Sequence, residues 1–183
     1  MPVKLLIMDR DDTLIRVPAG RIYLYGDDDI VLADGALDFV RTLNRAGVPV
    51  VLATNQQGVA LAEHPEMTLE AVDRFHRRLF DELRQQGARL ERAYVCPHGA
   101  DAECDCRKPR PGLFVRAMRD FHASPAETAA IGDRWRDVQA AHAAGIRALY
   151  LIGREHSQAD RPPELADVRI ISAFDQCTGE LVV

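Results

Sequence analysis

The chain predicts an α/β fold: a single doubly wound, mostly parallel sheet with helices on both faces and no large cap domain. Two observations carry this. Short apolar runs at residues 3–8, 48–53, 93–95, 129–131 and 148–152 are nearly continuous, as strands covered on both faces should be. Between them, apolar residues recur at helical spacing.

The elements follow in order. Residues 3–8 form the first strand. Leu37, Val40, Leu43 and Ala46 then define a helix that stops at Gly47, and 48–53 give a second strand. Leu69, Val72, Phe75, Leu79, Phe80 and Leu83 mark a longer helix ending before Gly87. A strand at 93–95 follows, and Pro111 opens a helix carrying Leu113, Ala117, Met118 and Phe121. After the strand at 129–131, a helix from about Trp135 to Ala144 ends at Gly145 and leads to the strand at 148–152. Residues 157–166, with Pro162-Pro163, read as a surface loop before a short terminal strand and helix. The helical stripes are core, with no cofactor implied. No repeat or low-complexity tract interrupts the pattern, so 1–183 reads as one domain.

Composition narrows the function classes. A chain that is 47% hydrophobic and 28% charged is ordinary for a globular protein, and its net charge of −5 argues against a general nucleic-acid surface. A small anionic ligand fits better. The first apolar run is about a strand long and ends in acid, unlike a signal peptide or a membrane span, so the expected setting is cytoplasmic, with no membrane partner.

The chemistry gathers where strands should end. Asp9-Arg10-Asp11-Asp12-Thr13 follows the first strand, Thr54-Asn55-Gln56 the second, and Gly132-Asp133 the strand at 129–131, while Arg107-Lys108-Pro109 precedes a helix. An isolated Asp-x-Asp could be an acidic turn. Together with hydroxyl and amide donors, a lysine and a further acid, it supplies what magnesium-dependent phosphoryl transfer requires. A second constellation, Cys96-Pro97-His98 and Cys104-Asp105-Cys106, can close a tetrahedral zinc site in a loop at about 96–106, with a disulfide as the competing use. Because Arg107 and Lys108 follow directly, zinc there would be structural, fixing the loop that delivers two cations. Cys177 reads as a buried apolar residue.

The four ordered motifs, spanning roughly residues 3 to 152, resemble those of the haloacid dehalogenase-like phosphatases. The Cys-x-His and Cys-x-Cys-Arg-Lys-Pro block resembles the subgroup containing the D-glycero-D-manno-heptose 1,7-bisphosphate and histidinol-phosphate phosphatases. The resemblance implies that Asp9 is the nucleophile, forming an aspartyl-phosphate, and Asp11 the acid/base. Magnesium would be held by Asp9, the carbonyl of Asp11, and Asp133. Thr54, Asn55, Gln56, Arg107 and Lys108 would bind the phosphate or offset its charge. Asp137 reads most simply as a helix-surface acid, with an outer-shell role as the alternative.

The implied substrate is a small phosphorylated metabolite. The heptose bisphosphate stands first, losing its C7 phosphate, and histidinol phosphate is the alternative. Three departures from the heptose pattern bear on this: Asp12 stands where those enzymes generally have Gly, Ile15 near where they have Asn, and Leu61-Ala62 where they have Arg-Gly. Asp tolerates turn conformations, whereas losing a guanidinium at Leu61 could remove a contact to a second phosphate. A phosphotransferase and a non-catalytic binding module are the remaining alternatives, the latter disfavoured because Asp9, Asp11, Lys108 and Asp133 are all present.

Overall fold

The computed structural model describes residues 3–153 and 161–182. Its elements are β1 (Leu5–Met8), α1 (Ala36–Arg45), β2 (Val50–Asn55), α2 (Leu69–Gln85), β3 (Arg92–Cys96), α3 (Gly112–Asp120), β4 (Thr128–Gly132), α4 (Trp135–Ala143), β5 (Ala148–Ile152), β6 (Arg169–Ile171) and α5 (Asp175–Leu181). The sheet runs β3-β2-β1-β4-β5-β6, and every pairing between these strands is parallel rather than mostly so.

Each residue of β1 is fully buried because its side chains serve two layers. Leu6 and Met8 join the core beneath α1, α2 and α5, including Val40, Phe75 and Leu79. Leu5 and Ile7 join the opposite core with Leu113, Ala117 and Val138 from α3 and α4. The two-residue period of a strand turns one apolar run into the centre of both cores.

The helices start and stop for local reasons. Thr68 caps α2 by accepting a hydrogen bond from Ala71 N, and Gly47, at φ +77°, provides the left-handed turn after α1. Leu69, expected in the core stripe, is half exposed, since it stands in the first turn before the buried face begins. The loop expected at 157–166 lies partly outside the described residues, and Pro163–Leu165 form a 3-10 turn with Leu165 buried. Among the described residues no helix is long and apolar enough to cross a membrane.

The sheet order reverses direction between β1 and β4. Connections leaving those strands diverge to opposite faces, opening a crevice beyond their carboxyl ends. Asp9 follows β1, and Asp133 follows β4.

Candidate active site

A cavity of about 420 Å³ occupies that crevice, with Asp9, Asp11, Thr54, Asn55, Arg107, Lys108 and Asp133 on its walls. At its floor lies a buried charge cluster. Lys108 Nζ stands 2.8 Å from Asp9 Oδ1 and 2.7 Å from Asp137 Oδ1, and it donates to Ala53 O at 2.8 Å. Three partners match the three donors of an ammonium, so the cation is fixed at one point. Burial opposes its charge, but the carboxylates of Asp137 and Asp9 outweigh that and raise the Lys108 pKa above its ordinary value.

Asp137 is therefore not the helix-surface acid expected from sequence. It is 3% exposed; one oxygen pairs with Lys108, while the other accepts from Arg134 N at 2.9 Å and caps α4. Gly132 makes room for it: a Cβ there would lie 2.5 Å from the Asp137 Cβ.

Asp9 accepts from Arg10 N at 2.8 Å, and burial, only partly offset by Lys108, pushes its pKa up to about 7. Burial, followed by the charge of Asp137, likewise raises Asp133 to about 6. Carboxylates of Asp9, Asp133 and Asp137 present oxygens within 4.8 Å of one another. Asp137 spends both oxygens on Lys108 and the α4 amide, whereas Asp9 meets Lys108 and Arg10 N through Oδ1 alone and Asp133 pairs with Arg134 Nε at 2.8 Å; the all-oxygen donor set of Asp9 and Asp133 suits a hard divalent cation such as magnesium.

The raised pKa values give a sign. An acid whose pKa rises on folding binds more protons folded than unfolded, so its contribution to stability falls as pH climbs from the ordinary carboxylate range to about 7. Magnesium is accordingly expected to raise the Tm more at pH 7.5, where both carboxylates are ionised, than at pH 5. Equal Tm shifts at the two pH values would count against Asp9 and Asp133 as the metal site.

The phosphate-binding candidates divide. Thr54 Oγ1 accepts from Gln56 Nε2 at 2.8 Å, leaving its own hydroxyl hydrogen to donate. Asn55 lines the cavity while exchanging hydrogen bonds, both 3.1 Å, with the backbone N–H and carbonyl of Lys108. Gln56 is placed elsewhere than expected: it is fully buried, and its amide also donates to Asp11 Oδ2 at 2.8 Å. Its neighbour Gln57 faces the cavity instead, accepting from Arg107 Nη2 at 2.7 Å and donating to Tyr23 at 2.9 Å. This chain ties three loops together, one residue from each.

Sequence reasoning missed Gln57, Tyr23, Arg21, Arg134 and Arg136, which also line the cavity. Only the clustering of Arg134 and Arg136 around Asp133 offered a signal. Leu61 closes the 3-10 turn Gln57–Ala60 and is not among the lining residues.

The Cys/His block converges as its spacing suggests. Cys96 Sγ lies 3.8 Å from Cys104 Sγ and 3.5 Å from His98 Nδ1, which is 3.3 Å from Cys106 Sγ. Tetrahedral zinc with ordinary bond lengths sets ligand atoms about 3.5–3.8 Å apart, so these four donors can hold it. All four cysteines are unpaired, and the 3.8 Å between Cys96 Sγ and Cys104 Sγ is the spacing of two ligands on one metal rather than of a disulfide. Arg110 further braces the loop by donating to the carbonyls of Ala102 and Cys104. Cys104→Ser is expected to lower copurifying zinc from about one per chain and reduce activity through the attached Arg107 and Lys108, without abolishing the fold. Metal analysis beside circular dichroism checks this, and full activity in zinc-free protein would break the link.

Comparison with known proteins agrees with this geometry. Residues 105–172 match the HAD-hydrolase-like family. The D-glycero-β-D-manno-heptose-1,7-bisphosphate 7-phosphatase of Bordetella bronchiseptica is 37% identical over 144 residues, 78% of this chain and 77% of that protein. Its counterpart in Pseudomonas putida is 38% identical over 147 residues, covering 80% and 81%. The crystal structure of the B. bronchiseptica D,D-heptose 1,7-bisphosphate phosphatase, complexed with magnesium and phosphate, superimposes with a TM-score of 0.85 at 28% identity, covering 98% of both chains. At this identity and coverage, with the family match and the superposed fold, the chain belongs to the haloacid dehalogenase-like phosphatases.

Proposed function

We propose that this phosphatase hydrolyses the C7 phosphate of D-glycero-D-manno-heptose 1,7-bisphosphate, as a cytoplasmic enzyme in which 1–183 acts as one domain. The names of its relatives support this substrate, and one observation in the cavity carries it. Arg21, Arg107, Arg134 and Arg136 line the space around the Asp9–Lys108 centre, a cationic rim suited to a second phosphate. Histidinol phosphate would bring an amine and an imidazole to those arginines, so its far end is electrostatically mismatched.

In the proposed mechanism, an Asp9 oxygen attacks phosphorus, the ester P–O bond breaks, and Asp11 gives its proton to the departing alkoxide. Asp11 then takes a proton from the water that attacks the aspartyl-phosphate, releasing inorganic phosphate and restoring Asp9. Thr54 donates to a phosphate oxygen, and Lys108 offsets charge on the nucleophile and the transferring group. Magnesium held by Asp9, the Asp11 carbonyl and Asp133 would neutralise and orient the phosphate when bound.

A phosphate-release screen comparing kcat/KM for heptose 1,7-bisphosphate, histidinol phosphate and simple sugar monophosphates tests the assignment. The bisphosphate should lead by tenfold or more, which is about 1.4 kcal/mol, and phosphorus NMR should show retention of the C1 phosphate. Preference for histidinol phosphate would overturn it.

A further inference from the structure

Arg10 is sealed completely from solvent, although it lies between two residues of the cavity wall. Its guanidinium runs to α2 and is held on every side. Nε donates to Asp11 Oδ1 at 2.9 Å, and Nη2 donates to Asp11 Oδ2 and to Leu24 O, both at 3.0 Å. Nη1 lies 3.2 Å from His76 Nε2, and the Phe75 ring centroid is 4.9 Å from Cζ. A guanidinium only donates, so His76 Nε2 must accept, which makes the imidazole neutral with its proton on Nδ1. Burial, then the charge of Arg10, depresses the His76 pKa to about 3, in keeping with that form.

Net stabilisation is a weak reason for this arrangement. Apolar side chains of similar volume often stabilise a core as well as a buried ion pair does, because the pair must first be desolvated. What a two-pronged fork adds is geometry: both oxygens of one carboxylate are held in a plane. Gln56 Nε2 completes the hold on Asp11 Oδ2.

We propose that Arg10 is a positioning residue for Asp11, orienting its carboxylate at the cavity wall from a rigid mount made by His76, Leu24 and Phe75. The proposal rests on Asp11 being the acid/base of the reaction above. A misplaced acid matters most when the leaving group needs its proton, so the loss should depend on the leaving group.

Single-turnover phosphoryl transfer from an alkyl phosphate and from p-nitrophenyl phosphate tests it. Arg10→Lys keeps the charge and loses the fork; it should slow the alkyl ester by roughly ten- to a hundredfold and the nitrophenyl ester little, with inhibition by inorganic phosphate unchanged. Combined with Asp11→Asn, it should add no further loss, because both changes act through one group. Should Arg10→Lys fail to fold, His76 carries the test: His76→Phe removes the acceptor and should give a smaller loss of the same selectivity, and His76→Gln, which can accept again, should recover it.

Equal losses on both esters, or additive losses in the double variant, would overturn the proposal. If Asp11→Asn shows the selective loss and Arg10→Lys does not, the acid stands and its positioning by Arg10 falls. If Asp11→Asn itself shows no selective loss, the acid assignment fails, and the proposal fails with it.

Discussion

Asp9→Asn is expected to lower kcat by roughly three orders of magnitude or more, because a covalent route loses its attacking oxyanion. The fold should survive. An amide oxygen can still accept from Arg10 N, and Lys108 keeps Asp137 and the Ala53 carbonyl as partners. Removing a carboxylate whose pKa burial has raised to about 7 also removes a charge that is costly above that pH, so the Tm at pH 7.5 should hold or rise. Rapid quenching should trap a hydroxylamine-sensitive phosphoenzyme in the wild type and none in the variant. Near-normal turnover in protein shown by mass to be free of deamidation would remove Asp9 as nucleophile.

Lys108→Met should cost both activity and stability. Without the ammonium, Asp9 and Asp137 face each other buried and unpaired, a situation that costs about 3–5 kcal/mol when one partner of a buried pair is deleted. Lost charge compensation at the phosphoryl group should lower kcat by about a hundredfold or more. The stability penalty has a direction with pH. Deleting the cation removes the influence that lowers the Asp9 pKa, so Asp9 is neutral near pH 5 and the Tm deficit should be smaller there than at pH 8. A deficit that grows on acidification would contradict the charge arrangement described.

Much of the site was legible because strand ends are predictable places. The four residues before Asp9 are all apolar, and a buried strand puts the next side chains at the crevice; the same logic delivered Thr54 and Asp133. Cys96, His98, Cys104 and Cys106 were legible because ligand spacing constrains a short loop. Asp12 illustrates a departure that sterics absorb: it adopts φ +55°, and its carboxylate accepts from Val17 N. What stayed hidden depends on tertiary partners. Nothing local distinguishes Asp137 from an ordinary first-turn acid until Lys108 arrives from 29 positions earlier in the chain. Gln56 and Gln57 are adjacent amides, and only the tight turn after β2 decides which one faces the cavity. Arg10, framed by two site acids, was equally silent, since its burial and its acceptors beyond Asp11 come from α2 and Leu24, distant in sequence.

The central place of β1 also governs when the enzyme can come into being during synthesis. β1 pairs on one side with β2, but its other side waits for β4, with Leu5 opposite Thr128. Until that distant segment emerges from the ribosome, four apolar residues have an unpaired edge, and the amide of Asp9 lacks the Ile131 carbonyl that will receive it. A nascent chain ending before Thr128 already contains Asp9, Asp11 and Lys108, yet it lacks the strand that holds the Asp9 amide and both acids, Asp133 and Asp137, that complete the charge cluster. The complete charge cluster thus requires the closing of a long-range ladder whose second strand is made late in translation.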